Sequence, residues 1–132
     1  MMSHRRILLI LLEFVLVISL IVGFGLTMIS GESMEPTLQS GDLLVYARFT
    51  DLEIGDIVIF HSEAFNKQLI KRVDQIEDGK CYVLGDNPAV SEDSRNPDIG
   101  WIAVDDISGK ALVRVFPFGQ FKTFIGGQNE EN

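Results

Sequence analysis

The 132-residue chain is long enough for one domain, and its 19 acidic against 11 basic side chains give a net charge of −8. With no basic stripe, that balance argues against a nucleic-acid partner. The single cysteine, Cys81, excludes an intrachain disulfide, and two isolated histidines, His4 and His61, give no metal-ligand spacing, so neither a metal nor another cofactor is expected.

Residues 1–6 are a short basic lead. Ile7 to Ile29 is a 23-residue apolar run with one charge, Glu13. As a helix it extends ~34 Å, enough for a ~30 Å hydrocarbon core. A cleavable secretory leader has an apolar region of only ~7–15 residues and then a small-x-small site. Phe24-Gly25-Leu26-Thr27-Met28 offers no such site, so residues 7–29 read as an uncleaved transmembrane helix. His4, Arg5 and Arg6 precede the run, whereas Glu32, Glu35 and Asp42 follow it. Basic residues stay inside, which puts residues 1–6 in the cytoplasm and residues 30–132 on the extracytoplasmic face of the cell membrane. Glu13 can snorkel toward the cytoplasmic side or meet a polar partner from another helix, with snorkelling the default.

Ser30-Gly31-Glu32-Ser33-Met34-Glu35-Pro36-Thr37-Leu38 comes next. Gly31 and Pro36 punctuate it, so it is no helix interior. A serine held on a bent loop where a chain leaves a membrane is a candidate nucleophile; the plain alternative is a polar linker.

The rest reads as short strands with frequent turns, a mostly β class. Leu43–Arg48 is the first strand. Ile57-Val58-Ile59-Phe60 is continuously apolar between polar flanks, as a strand buried on both faces would be. In Gln68–Ile76, Leu69, Lys71 and Val73 share one face and Ile70, Arg72 and Asp74 the other, which sets Lys71 among apolar neighbours. Glu77-Asp78-Gly79-Lys80 is an Asp-Gly hairpin turn that returns the strand around Cys81. Gly85 to Pro97 is a polar loop. Gly100–Val104 and Gly109–Phe116 are the closing strands, followed by an aromatic patch from Phe116 to Phe121; the tail, 126–132, is expected to fray.

Three stretches, Ser30 to Leu38, Lys71-Arg72-Val73, and Gly85-Asp86-Asn87 with Ser91-Glu92-Asp93-Ser94-Arg95, together resemble the type I signal peptidases. These are membrane-anchored serine peptidases that remove signal peptides from exported proteins. Ile57–Phe60 and Phe116-Pro117-Phe118 match further family segments, so the resemblance runs from Ile7 to Phe118. It implies a compact β-barrel catalytic domain, here without the large inserted domain of some relatives. It also implies that Ser33 is the nucleophile, Lys71 its general base, and Ser91 the serine that orients the lysine amine. Asp93 and Arg95 match a structural ion pair behind the site, and Asp86 and Asn87 match positions that shape the same loop. Where some relatives carry a serine that helps hold the oxyanion, this chain has Gly31, so the oxyanion would rest on backbone N–H groups, that of Ser33 above all. The partners implied are preprotein signal peptides and the lipid bilayer. Substrate would lie as an extended strand against an edge formed by Ile57, Val58, Ile59 and Phe60 and by the Met34 segment, and be cut after small residues of the Ala-x-Ala type through an acyl-enzyme. Self-cleaving SOS repressors share a Ser-Lys pair but carry a DNA-binding part, which a transmembrane run replaces here. A silent binding module would be free to lose Ser33, Lys71 or Ser91, and all three are present.

Overall fold

A computed structural model describes residues 1–124; the tail at 126–132 lies outside the described residues. The chain opens with helix α1 (His4–Gly23), whose first free N–H groups, those of Arg6 and Ile7, donate to the Ser3 carbonyl. The helix is 20 residues, or ~30 Å at 1.5 Å per residue, and is long and apolar enough to cross a membrane. It does not run to Ile29. It stops at Gly23, and Phe24–Met28 becomes strand β1. Glycines at 23 and 25 weaken helix propagation. The five residues instead gain a full antiparallel ladder against β2 (Leu43–Ala47), from Phe24 opposite Ala47 to Met28 opposite Leu43. Apolar composition alone does not separate a helix turn from a strand. Ser33 therefore follows the helix by ten residues, not four.

Six further strands complete one antiparallel sheet: β3 (Ile57–Ser62), β4 (Lys67–Glu77), β5 (Lys80–Leu84), β6 (Ile102–Ala103), β7 (Ile107–Phe116) and β8 (Lys122–Thr123). Their spatial order is β1-β2-β7-β3-β4-β5-β6, with β8 on β7. The domain has no large insert. β4 and β5 are joined at Asp78-Gly79, both at positive φ as a tight primed hairpin turn requires. The expected strand at 100–104 shrinks to two residues before a short 3₁₀ turn at Val104–Asp106.

Burial follows the alternation read from the sequence. Ile57, Val58, Ile59 and Phe60 are all almost fully buried, because both faces of β3 are covered. Ile57 packs with Ile29, Met34, Leu38, Leu44, Ala111 and Phe124; Val58 and Phe60 pack with Leu69, Val73, Cys81 and Val83 on the other side. Cys81 is the small buried hydrophobe its strand position suggests. On β4, Leu69, Lys71 and Val73 are buried together, so the lysine enters the apolar layer between two core residues.

Candidate active site

The loop carrying Ser33 is held from several directions. Ile29 N–H donates to Asp42 O, and Gly41 N–H donates back to Ile29 O. Met34 and Leu38 are pegs in the core. Gly31 has φ +92°, a conformation that side chains other than hydrogen adopt only with strain. From the far side Asn87 binds twice: its N–H donates to Ser33 O at 2.9 Å and its Nδ2 to Glu32 O at 3.1 Å. Gly85 lies so close that a Cβ there would overlap the Ser91 hydroxyl and the Ser33 carbonyl. The Ser33 N–H donates to no protein group among the described residues.

Lys71 reaches this loop from β4. Its Nζ lies 2.7 Å from Ser33 Oγ, and the residue is only 2% exposed. Burial lowers its pKa from the ordinary lysine value; Asp93 pulls it back up, Lys67 pushes it further down, and Glu92 raises it slightly. The contact has hydrogen-bond length for either direction of donation: the ammonium donates to Oγ, and a neutral amine would accept from the hydroxyl.

Two carboxylates brace the pair. Asp93 is 1% exposed. Burial opposes its charge, but Arg95 in a two-pronged contact (2.8 Å each), the Gly85 N–H (2.9 Å) and the Ser91 hydroxyl (2.7 Å) hold it well below the usual carboxylate range. Asp86 is desolvated too, yet the Arg72 fork (2.9 and 2.7 Å) and the Thr37 hydroxyl keep its pKa lowered. Arg72 also donates to Gly55 O. Thr37, on the serine loop, and Arg72, next to the lysine, are thus tied to one carboxylate, which fixes the two halves of the site relative to each other.

Ser33 and Lys71 open onto a cleft of about 620 Å³. One wall is Thr27 to Met34, the other Lys67 to Lys71, and Val90 and Glu92 close the end.

Residues 23–112, which include this whole site, match the family described as Peptidase S24-like. Signal peptidase IB of Staphylococcus aureus (strain COL) is 30% identical over 79% of this chain and 84% of its own length. Signal peptidase I of Bacillus caldolyticus is 28% identical over 74% of this chain and 82% of its own. The chain belongs to the type I signal peptidase family. The first alignment spans 163 positions against 132 residues here, so that signal peptidase carries segments this family member lacks.

Most of the expected residues come together. Ser33, Lys71, Gly31 and Met34 line the cleft; Asp86, Asn87, Asp93, Arg95 and Ser91 stand behind it. Ser91 differs in its partner. Its hydroxyl donates to Asp93, and no hydrogen bond joins it to Lys71. Ile57, Val58, Ile59 and Phe60 need correction. β3 pairs with β4 on one side and β7 on the other, so it offers no edge, and none of the four residues lines the cleft. Arg72 and Thr37 had no assigned role. The alternation that turned Arg72 away from Lys71 was the available sign that it serves the opposite face.

Proposed function

We propose that the protein is a membrane-anchored serine endopeptidase that removes signal peptides from exported preproteins, with Ser33 as nucleophile and Lys71 as base. The observation that carries the reading is the 2.7 Å contact between Ser33 Oγ and an Nζ buried among core residues. An ordinary lysine, near pKa ~10.4, is almost wholly protonated at neutral pH; burial raises the share of neutral amine that can accept a proton.

In the reaction Ser33 Oγ attacks the scissile carbonyl while its proton passes to Lys71 Nζ. The oxyanion is met by the unoccupied Ser33 N–H. Collapse breaks the C–N bond, and the leaving amine takes the proton from Lys71. Water then attacks the acyl ester and Lys71 accepts its proton; collapse breaks the ester C–Oγ bond, Lys71 returns the proton to Ser33 Oγ, and the signal peptide leaves with a free carboxyl end. Asp93, Arg95 and Ser91 position the lysine side of the site; Asp86, Asn87, Arg72 and Thr37 position the serine loop.

The cleft supports an extended substrate. Among the described residues β1 pairs only with β2, and β4 pairs with β5 only from Arg72 onward, so Phe24–Met28 and 67–71 each keep a free edge there, on either side of the cleft. A strand laid there gains main-chain hydrogen bonds, and alternate side chains enter the cleft walls. Met34, Ile29 and Ile70 supply an apolar lining suited to small residues. The helix anchors the chain with its N-terminus in the cytoplasm and the catalytic domain outside.

The test is a preprotein with an Ala-x-Ala site, mixed with the full chain in detergent or lipid. Wild type is expected to cut after the last Ala, as read by product mass, and Ser33→Ala and Lys71→Ala to lose ~10³ or more in rate while keeping the wild-type circular dichroism. Cleavage undiminished in either variant overturns the reading.

A further inference from the structure

Four antiparallel pairings separate β1 from β4 in the sheet order, so the two walls of the cleft run in the same direction. Thr27 Oγ1 donates to Gln68 Oε1 at 3.2 Å, which sets those two residues level across it. From that level one wall runs on to Ser33 and the other to Lys71. The opposite end adjoins the anchor, because α1 stops at Gly23 and β1 begins at Phe24. The cleft thus has an entry beside the helix and an exit beyond the nucleophile.

The two ends differ in charge. Lys67 stands at the entry, whereas Glu32, from the serine loop, and Glu92, from the loop at 85–97, stand at the exit. Both carboxylates are exposed, and neither joins an ion pair among the described residues. Asn96 Nδ2 donates to Glu92 Oε2 at 3.0 Å, while Oε1 accepts nothing among the described residues. Arg95, in the same loop, is committed to Asp93. The loop is locked to the nucleophile, since Asn87 donates to the carbonyls of both Ser33 and Glu32. Glu92 also acts on Lys71 through space, raising its pKa, so its negative charge reaches the point where the scissile bond is held.

The membrane-embedded part of a signal peptide lies beside α1, so the residues after the cut leave past Ser33 and meet the acidic exit. We propose that Glu92, together with Glu32, is a specificity determinant that reads the first two residues of the released chain, favouring basic side chains there and rejecting acidic ones. The inference rests on the peptidase reading for the direction in which substrate runs. A lysine or arginine at these positions can donate to the open Glu92 Oε1. An aspartate or glutamate there meets two like charges and no free cation. Both carboxylates are exposed, so the preference has the size of surface ion pairs and is screened by salt.

The experiment uses the full chain in detergent and two labelled peptides that are identical through the last Ala of an Ala-x-Ala site and carry Lys-Lys or Glu-Glu after it. At low salt kcat/KM is expected to be about two- to tenfold higher for the Lys-Lys peptide, and the ratio to approach one at about 1 M salt, where the screening length is ~3 Å. Glu92→Gln keeps an acceptor for Asn96 and should shrink the ratio; Glu92→Lys should invert it. Any shift in the Lys71 pKa acts on both peptides alike and cancels in the ratio. Fluorescence anisotropy with Ser33→Ala as background gives the same comparison as Kd values without cleavage. Equal use of the two peptides, a preference for Glu-Glu, or a ratio unmoved by both Glu92 variants overturns the proposal; if both peptides are still cut after the last Ala, the peptidase reading survives it. A Kd ratio that depends on Glu92 in a chain that cuts neither peptide keeps this exit and loses the peptidase reading. Neither binding nor cleavage of either peptide overturns both.

Discussion

Replacing Asp93 by Asn tests the bracing of the lysine and its electrostatics together. Three donors converge on Asp93 Oδ2: the Gly85 N–H, the Ser91 hydroxyl and Arg95 Nη2. An amide placed with its oxygen toward Arg95 Nε presents its own N–H groups to those three. The Gly85 N–H is buried and has no other acceptor, so its loss costs about 1–3 kcal/mol. The Arg95 guanidinium is 45% exposed, so solvent screens its share of the loss. The expected destabilisation is about 1–3 kcal/mol at pH 7, read as a lower urea midpoint with an unchanged slope. Asp93 has its pKa lowered in the folded chain, so its stabilisation is full above the unfolded carboxylate value of ~3.9 and is lost as the pH falls toward the folded one. The gap between variant and wild type should therefore narrow below about pH 4. The same substitution removes the largest charge that raises the Lys71 pKa, so the acid limb of kcat/KM should move to lower pH. A variant within 0.5 kcal/mol of wild type, or an acid limb that moves up, would refute the reasoning.

The two glycines of the site should fail for different reasons. Gly31→Ser meets no atom within 4 Å of its Cβ but must hold φ +92°, so it should cost about 1–3 kcal/mol of backbone strain in thermal melts and gain no rate from its hydroxyl. Gly85→Ala would drive its methyl into the Ser33 carbonyl and the Ser91 hydroxyl; steady-state kinetics should show kcat falling by tenfold or more for a stability loss of about 1–3 kcal/mol. A Gly85→Ala chain with wild-type kcat would remove that close approach from the account of the site.

What could be read from the sequence was local. The unbroken apolar run Ile57–Phe60 announced burial on both faces, the alternation around Lys71 placed it with Leu69 and Val73, and Asp78-Gly79 gave the hairpin; each depends on neighbours along the chain. What could not be read depended on strand order. β7, from the far end of the sequence, inserts between β2 and β3 and seals the edge that Ile57–Phe60 was expected to offer. The same closure brings β1 and the start of β4 to opposite walls of the cleft, so Thr27 and Gln68 meet across 41 residues with no motif to mark them. The end of α1 was hidden because Phe24–Met28 is equally apolar as helix or strand, and only its ladder with β2 decides the matter. Ser91 was expected to turn to Lys71, but the desolvated Asp93 carboxylate, which must collect donors to stay charged, takes its hydroxyl.

The central claim is that Lys71 serves as a neutral base for Ser33. Its direct test is an NMR titration of the Lys71 ε-methylene in the full chain, labelled with ¹³C-lysine in detergent and assigned by loss of its signal in Lys71→Met. The account predicts a midpoint clearly below the ~10.4 of free lysine, matching the pH at which kcat/KM rises. A Lys71 that titrates with the surface lysines, or an activity that rises at a pH unrelated to its midpoint, would contradict it.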